Sequence, residues 1–208
     1  MAAGWTDEHE GLRACRVRLR ERYPALTSST LASALGFHST WYSRVESGKA
    51  GLTVANFARL AGGVLGLLAA TYPSDVWTLH DLIRDVPRPD PLPPLPSLPT
   101  EPHTYTWHTE DLRIELGRVQ ERRAPIAIPE VTAAIGLQHM VLYDIENGKS
   151  PGSIPTLLKL YTYFSRHLNR PLLLDEILTI ARYIPAALMP LLDQQHLGVG
   201  NDYRVGGP

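Results

Sequence analysis

A single cysteine, Cys15, stands in a chain of 208 residues, so no disulfide can form within it and stability must come from packing. No apolar run has the length or placement of a secretory signal or membrane span, which predicts a cytoplasmic protein. Excess charge of either sign is missing too. Twenty Lys+Arg against 21 Asp+Glu leave a formal net charge of −1, too little to coat nucleic acid by bulk electrostatics. No segment alternates apolar and polar residues over a convincing length, so the expected class is all-α. Catalytic patterns are absent as well: there is no phosphate loop, acid pair or nucleophile triad. His103 and His108 stand five apart without a cysteine partner, which offers no metal site, and no cofactor is expected. Cys15 sits on an apolar stripe and reads as core, not nucleophile.

What the chain does have is a repeat. The stretch Gly36-Phe37-His38-Ser39-Thr40-Trp41-Tyr42-Ser43-Arg44-Val45-Glu46-Ser47-Gly48-Lys49 returns as Gly136-Leu137-Gln138-His139-Met140-Val141-Leu142-Tyr143-Asp144-Ile145-Glu146-Asn147-Gly148-Lys149. Residues 12–60 pair with 112–160 without a gap, and eleven pairs are identical where chance gives about three. Two copies of one domain follow, and two small cores are expected instead of one. The repeats are weakly basic and their flanks acidic: 1–70 and 111–170 carry +3 and +2, whereas 71–110 and 171–208 carry −4 and −2.

Periodicity then places the elements. Leu12, Cys15, Leu19 and Tyr23 form the apolar stripe of a first helix starting near Glu10 and ended by Pro24. Thr27 or Ser28 caps a second helix, His38 or Ser39 a third, Thr53 a fourth, and Ser74-Asp75 begins a fifth. The second copy repeats this with helices over about Glu110 to Arg123, from Pro129 to Gly136, after Gln138, from Ser153, and over about Leu172 to Tyr183. Between the copies, residues 87–102 hold eight prolines and read as a polyproline II spacer, with a role as ligand for an aromatic-lined groove the lesser alternative. The division is thus 1–86, linker 87–102, 103–197 with an apolar extension from Ile184 to Leu192, and a flexible tail 198–208. That extension is expected to cover one end of the second core, with a homodimer contact as competitor.

The helix order and the Gly-x9-Glu-x-Gly-Lys signature resemble the lambda-repressor/Cro, or XRE, family of helix-turn-helix proteins, over residues 12–84 and 110–183. The resemblance implies two tandem five-helix domains whose third helices enter a DNA major groove. It carries DNA contact to Ser28, His38, Ser39, Thr40, Trp41, Ser43, Arg44 and Lys49 in copy 1, and to Gln138, His139, Met140, Tyr143 and Lys149 in copy 2. The family's phosphate-binding glutamine is replaced by Ser28 and Ile128; serine can still donate and isoleucine cannot. Asp144 repels phosphate unless it accepts from cytosine, so copy 1 is the better reader. Packing on a neighbouring helix is an equal reading for Trp41. Glu46 and Glu146 are implied structural residues that pair with helix-1 arginines, Arg20 or Arg22 and Arg122 respectively, while Gly48 and Gly148 stop the helix at positive φ.

The expected function is therefore a sequence-specific double-stranded DNA-binding regulator, a repressor that occludes a promoter. Either both copies read DNA, or copy 1 alone reads and copy 2 is a dimerisation or partner-binding unit, the arrangement slightly favoured. The rival is a protein-interaction module, such as an antitoxin or adaptor, to which the acidic flanks and the proline spacer point.

Overall fold

The structure, a computed structural model, describes residues 7–192 apart from Gly48, Arg84 and Asp85, with side chains from Gly11 onward. The expected positive φ at Gly48 and the tail from Gly198 lie outside the described residues. Most of the chain is helical. Helix α1 spans Asp7–Arg22, α2 Ser28–Ala34, α3 Ser39–Glu46 and α4 Val54–Thr71; then follow α5 Thr109–Val119, α6 Ile128–Ala134, α7 His139–Glu146 and α8 Ile154–His167. The bounds of α2 and α6, and of α3 and α7, differ by 100 residues at both ends.

Local chemistry sets these starts. Thr27 accepts from the Thr30 N–H at 3.1 Å, His38 Nδ1 from the Thr40 N–H at 3.3 Å, Thr53 from Asn56 and Ser153 from Thr156, each relieving one unpaired donor of a first turn. Pro129 and Pro155 fall in the first turns of α6 and α8, where no N–H is needed. Leu12, Cys15, Leu19 and Tyr23 are buried as their spacing predicts. The Cys15 Sγ donates to the Asp81 carbonyl at 3.2 Å, and burial pushes its thiol pKa up to about 12, which fits an inert core position.

Four expectations are corrected. The fifth helices do not form: 3-10 turns occupy Leu79–Asp81 and Leu174–Glu176, closed by Asp81 accepting from the Thr78 N–H at 2.7 Å and Glu176 from the Leu173 N–H at 2.8 Å. A short antiparallel sheet is present, pairing β1 (Tyr105–Trp107) with β2 (Leu178–Ile180) in the register Tyr105 with Ile180. All three residues of β2, Leu178, Thr179 and Ile180, are buried, and three residues are too few for a period of two to show in the sequence. The buried side chains form one cluster running from Leu12 to Leu188, not two separate cores. Finally, α4 is long and apolar enough to cross a membrane, with a mean hydropathy of 1.4, but 67% of it is buried inside this fold as a core helix.

The two halves of the chain meet at matching positions. Thr53 and Ser153, equivalent residues capping α4 and α8, face each other in an isolated antiparallel bridge. The two 3-10 turns also touch. There Asp175 accepts from the Leu79 N–H at 2.9 Å and His80 Nε2 accepts from the Leu174 N–H at 2.9 Å. Each turn thus gives one backbone N–H and takes one.

The apolar extension also lies elsewhere than expected: it covers the first half. Tyr183 donates its N–H to Gly62 O at 3.2 Å and its hydroxyl to Arg59 O at 2.8 Å, and Pro185 approaches Gly63. Gly62 and Gly66 make this possible, because a Cβ at either would run into the carbonyls of Ala181 and Tyr183. The proline segment is no free spacer. Along Pro91 to Thr100 every third residue (Pro91, Pro94, Ser97, Thr100) is exposed and the two between are half-buried, the three-residue period of a polyproline II helix laid on a surface. Pro91 to Pro94 rest beside Arg170, Pro171 and Glu176 of the second half.

Candidate functional site

Helix α3 is held from beneath. Tyr42 and Val45 are buried, and Glu46 at its end receives Arg16 of α1, with Nε to Oε1 at 2.6 Å and Nη2 to Oε2 at 3.1 Å. The matching pair in the second half is Arg113 to Glu146 at 3.0 and 2.7 Å, joined by the Thr109 hydroxyl at 3.0 Å. Both are bidentate pairs with side chains about nine-tenths buried. The expected partners Arg20 or Arg22 and Arg122 are thus corrected. Glu46 lands beside the middle of α1, at Arg16, and Glu146 beside the first half of α5, at Arg113, while Arg20 and Arg22 lie in the last turn of α1, and Arg122 lies beyond α5 and pairs with Glu130 at 2.7 Å.

Pinning the inner face of α3 leaves its outer face to solvent. His38, Thr40, Ser43 and Arg44 are exposed; Ser39 is half-buried at the first turn, as is Ser28 at the start of α2. After α3 the chain reverses with the Lys49 N–H donating to the Arg44 carbonyl at 2.7 Å, which sets the exposed Lys49 beside the end of the helix. Trp41 packs: its ring stacks on Phe37 at 4.7 Å, and the Arg59 guanidinium covers the other ring of that pair, Phe37, at 4.4 Å.

Helix α7 presents the corresponding face with different chemistry. Gln138, His139, Met140 and Tyr143 are exposed, Met140 by 47% and Tyr143 by 41%. Lys149 follows the same reversal, made here by Gly148 at φ 68°, and its Nζ sits 5.3 Å from the centre of the Tyr143 ring. Asp144 is half-buried, and its carbonyl accepts from the Lys149 N–H at 2.8 Å. The arrangement offers hydrogen-bond donors and one guanidinium on two outward helices, a lysine just beyond the end of each, and an apolar patch on the second.

One neighbour escaped the sequence reading. Arg13 is exposed and, with Arg16, Ser43, Glu46 and Ser47, lines a shallow depression at the inner edge of α3. Its signal was present in the identity of Arg13 and Arg113. That identity misleads about role, because Arg113 carries the buried ion pair while in the first half Arg16 does. Among the described residues no group of three or more His, Cys, Asp or Glu side chains is placed to hold a metal ion. No protein-family model matches the chain, and neither a curated protein nor a solved structure matches it.

Proposed function

We propose that the chain is a sequence-specific double-stranded DNA-binding regulator of the lambda-repressor/Cro kind, a cytoplasmic, non-enzymatic repressor built from two tandem helix-turn-helix domains. In this reading one chain does the work of a dimer. The observation that carries it is the bridge between Thr53 and Ser153. Each cap lies seven residues after its outward helix, α3 or α7, so the two helices flank one approximate twofold relation, as the readers of two half-sites do in dimeric helix-turn-helix proteins. The homodimer expected from the sequence is then not required for two-site reading. Arg44 is assigned to a guanine edge, Ser39, Thr40 and Ser43 to base edges or phosphate, and Ser28, Lys49 and Lys149 to phosphate. Gln138 suits adenine, while Met140 and Tyr143 suit thymine methyl groups. Because the half-sites meet different side chains, the operator is an imperfect palindrome.

The test is duplex binding as a function of salt. Arg44→Ala should weaken specific binding by about 1–3 kcal/mol, and Lys49→Ala should weaken all sequences alike and lower the salt slope by about one. Unchanged binding in both variants overturns the assignment of α3. A second reading, a protein-binding adaptor or antitoxin, is favoured by the exposure of Met140 and Tyr143 on α7, and it predicts binding that barely responds to salt.

A further inference from the structure

The two halves differ in how one groove is covered. In the first half the groove between α2 and α4 is covered by the chain from Ala181 to Leu188, which passes over Gly62, Gly63 and Gly66. The same positions in the second half, advanced by 100, are Thr162, Tyr163 and Arg166; among the described residues no chain segment crosses them as Ala181 to Leu188 crosses the glycines, Thr162 and Arg166 are exposed, and the Tyr163 side chain is buried beneath them. Their side chains bar the close backbone approach that the glycines admit. What remains is an open groove of about 350 Å³ between the end of α6 and α8, a volume in the range of small-molecule sites.

Its lining is amphipathic. Ala134, Ile135 and Leu158 form an apolar wall, and the Tyr163 ring adds an aromatic one, tilted against His167 at 4.6 Å. Every ionisable group other than tyrosine on the rim is basic: Lys159, Arg166 and His167. Arg166 is exposed and has no partner among the described residues, and Lys159 Nζ makes only a long contact of 3.5 Å with Gly136 O. His167 Nδ1 is 2.7 Å from the Tyr163 carbonyl, which fixes the proton on Nδ1 and leaves Nε2 for another partner. Lys159 and Arg166 lie seven residues apart on one helix, about 10 Å along its axis, so a single head group between them meets two cations; no carboxylate lines the groove, and Glu130, which acts on Tyr163, is already engaged by Arg122.

We propose that this groove binds a small amphipathic anion, an aromatic or aliphatic body bearing one carboxylate or sulfonate head. The body lies on Ile135, Leu158 and Tyr163 and the head meets Arg166 with Lys159. The site abuts the end of α6, so an occupant there presses on the first helix of the second helix-turn-helix. Any effect on operator affinity rests on the DNA-binding reading, whereas the site itself does not.

The probe is 8-anilinonaphthalene-1-sulfonate, titrated by fluorescence against the full chain, with decanoate as competitor. The expected result is saturable enhancement at one probe per chain, displaced by decanoate. Affinity should fall at least about tenfold in Lys159→Ala with Arg166→Ala, as loss of charged hydrogen bonds of roughly 1.5–3 kcal/mol requires. Arg166→Lys should retain most of it, and Ala134→Trp, which fills the groove from an exposed position, should abolish it while leaving the melting temperature unchanged. Probe binding that is absent, or unaltered in both the double alanine and the Ala134→Trp variants, overturns the proposal. So does the outcome in which a labelled peptide of alternating glutamate and leucine binds there and the sulfonate does not, since the groove then serves an acidic protein segment. No DNA enters the assay, so its failure leaves the DNA-binding reading untouched.

Discussion

His80 and Asp175 occupy equivalent places in the two 3-10 turns, and each accepts the backbone N–H of the residue that precedes the other, both at 2.9 Å. The pair ties the two 3-10 turns together through reciprocal backbone bonds. It is also chemically asymmetric, a neutral imidazole facing a buried carboxyl.

Asp175 is 2% exposed, and burial pushes its pKa up to about 6. The folded value lies above the ordinary one, so between about pH 4 and 6 the folded state holds the proton more tightly than the unfolded chain, and this group's contribution to stability falls as pH rises through that window. Asp175→Asn keeps an acceptor for Leu79 without the charge. Its stability relative to wild type should improve by on the order of 2–3 kcal/mol from pH 4 to pH 7 in denaturant titrations. A difference independent of pH contradicts the assignment.

His80 behaves oppositely. Burial lowers its pKa, and the bond from Leu174 requires Nε2 to stay unprotonated, so its contribution is lost as pH falls below the ordinary histidine range. His80→Ala orphans the buried Leu174 N–H and should cost about 1–3 kcal/mol at pH 7, with a smaller cost at pH 5. Equal costs at the two pH values would sink the neutral-imidazole account.

Gly66→Ala reverses a usual sign. In an ordinary helix interior this change stabilises by roughly 0.5–1 kcal/mol. Here the new Cβ meets the Tyr183 carbonyl, so the variant should be destabilised and the segment from Tyr183 to Leu188 should become a site of proteolysis. Unaltered or raised stability shows that the segment does not lie on α4 as described.

Glu46→Ala strands Arg16 with its side chain about nine-tenths buried and should cost about 3 kcal/mol or more, whereas the double change Arg16→Met with Glu46→Leu should cost less than the single one. Double-mutant analysis by denaturation checks it; simple additivity argues against a coupled pair.

Much of the helical frame was legible because its signals are local. Thr27, His38, Thr53 and Ser153 cap helices where their side chains predict, and Pro129 and Pro155 mark first turns. The failures share another cause. Leu174 to Ile180 carries helical spacing as well as strand-forming residues, and only the edge offered by Tyr105 to Trp107 decides between them. The partner of Glu46 depends on where the end of α3 lands on α1, and the two halves solve that with non-equivalent arginines, Arg16 and Arg113. The exchange of chain across the halves hangs on Gly62 and Gly66 meeting a segment more than 110 residues away, a match no window of sequence displays.

The most direct test of the central claim is selection from random duplex DNA with the intact chain, followed by measuring the mass of the purified complex on the enriched site. The account predicts one chain per duplex on a site of two unlike half-sites centred about one helical turn, 10–10.5 bp, apart. A perfect palindrome holding two chains, or no enrichment at any salt, would contradict it.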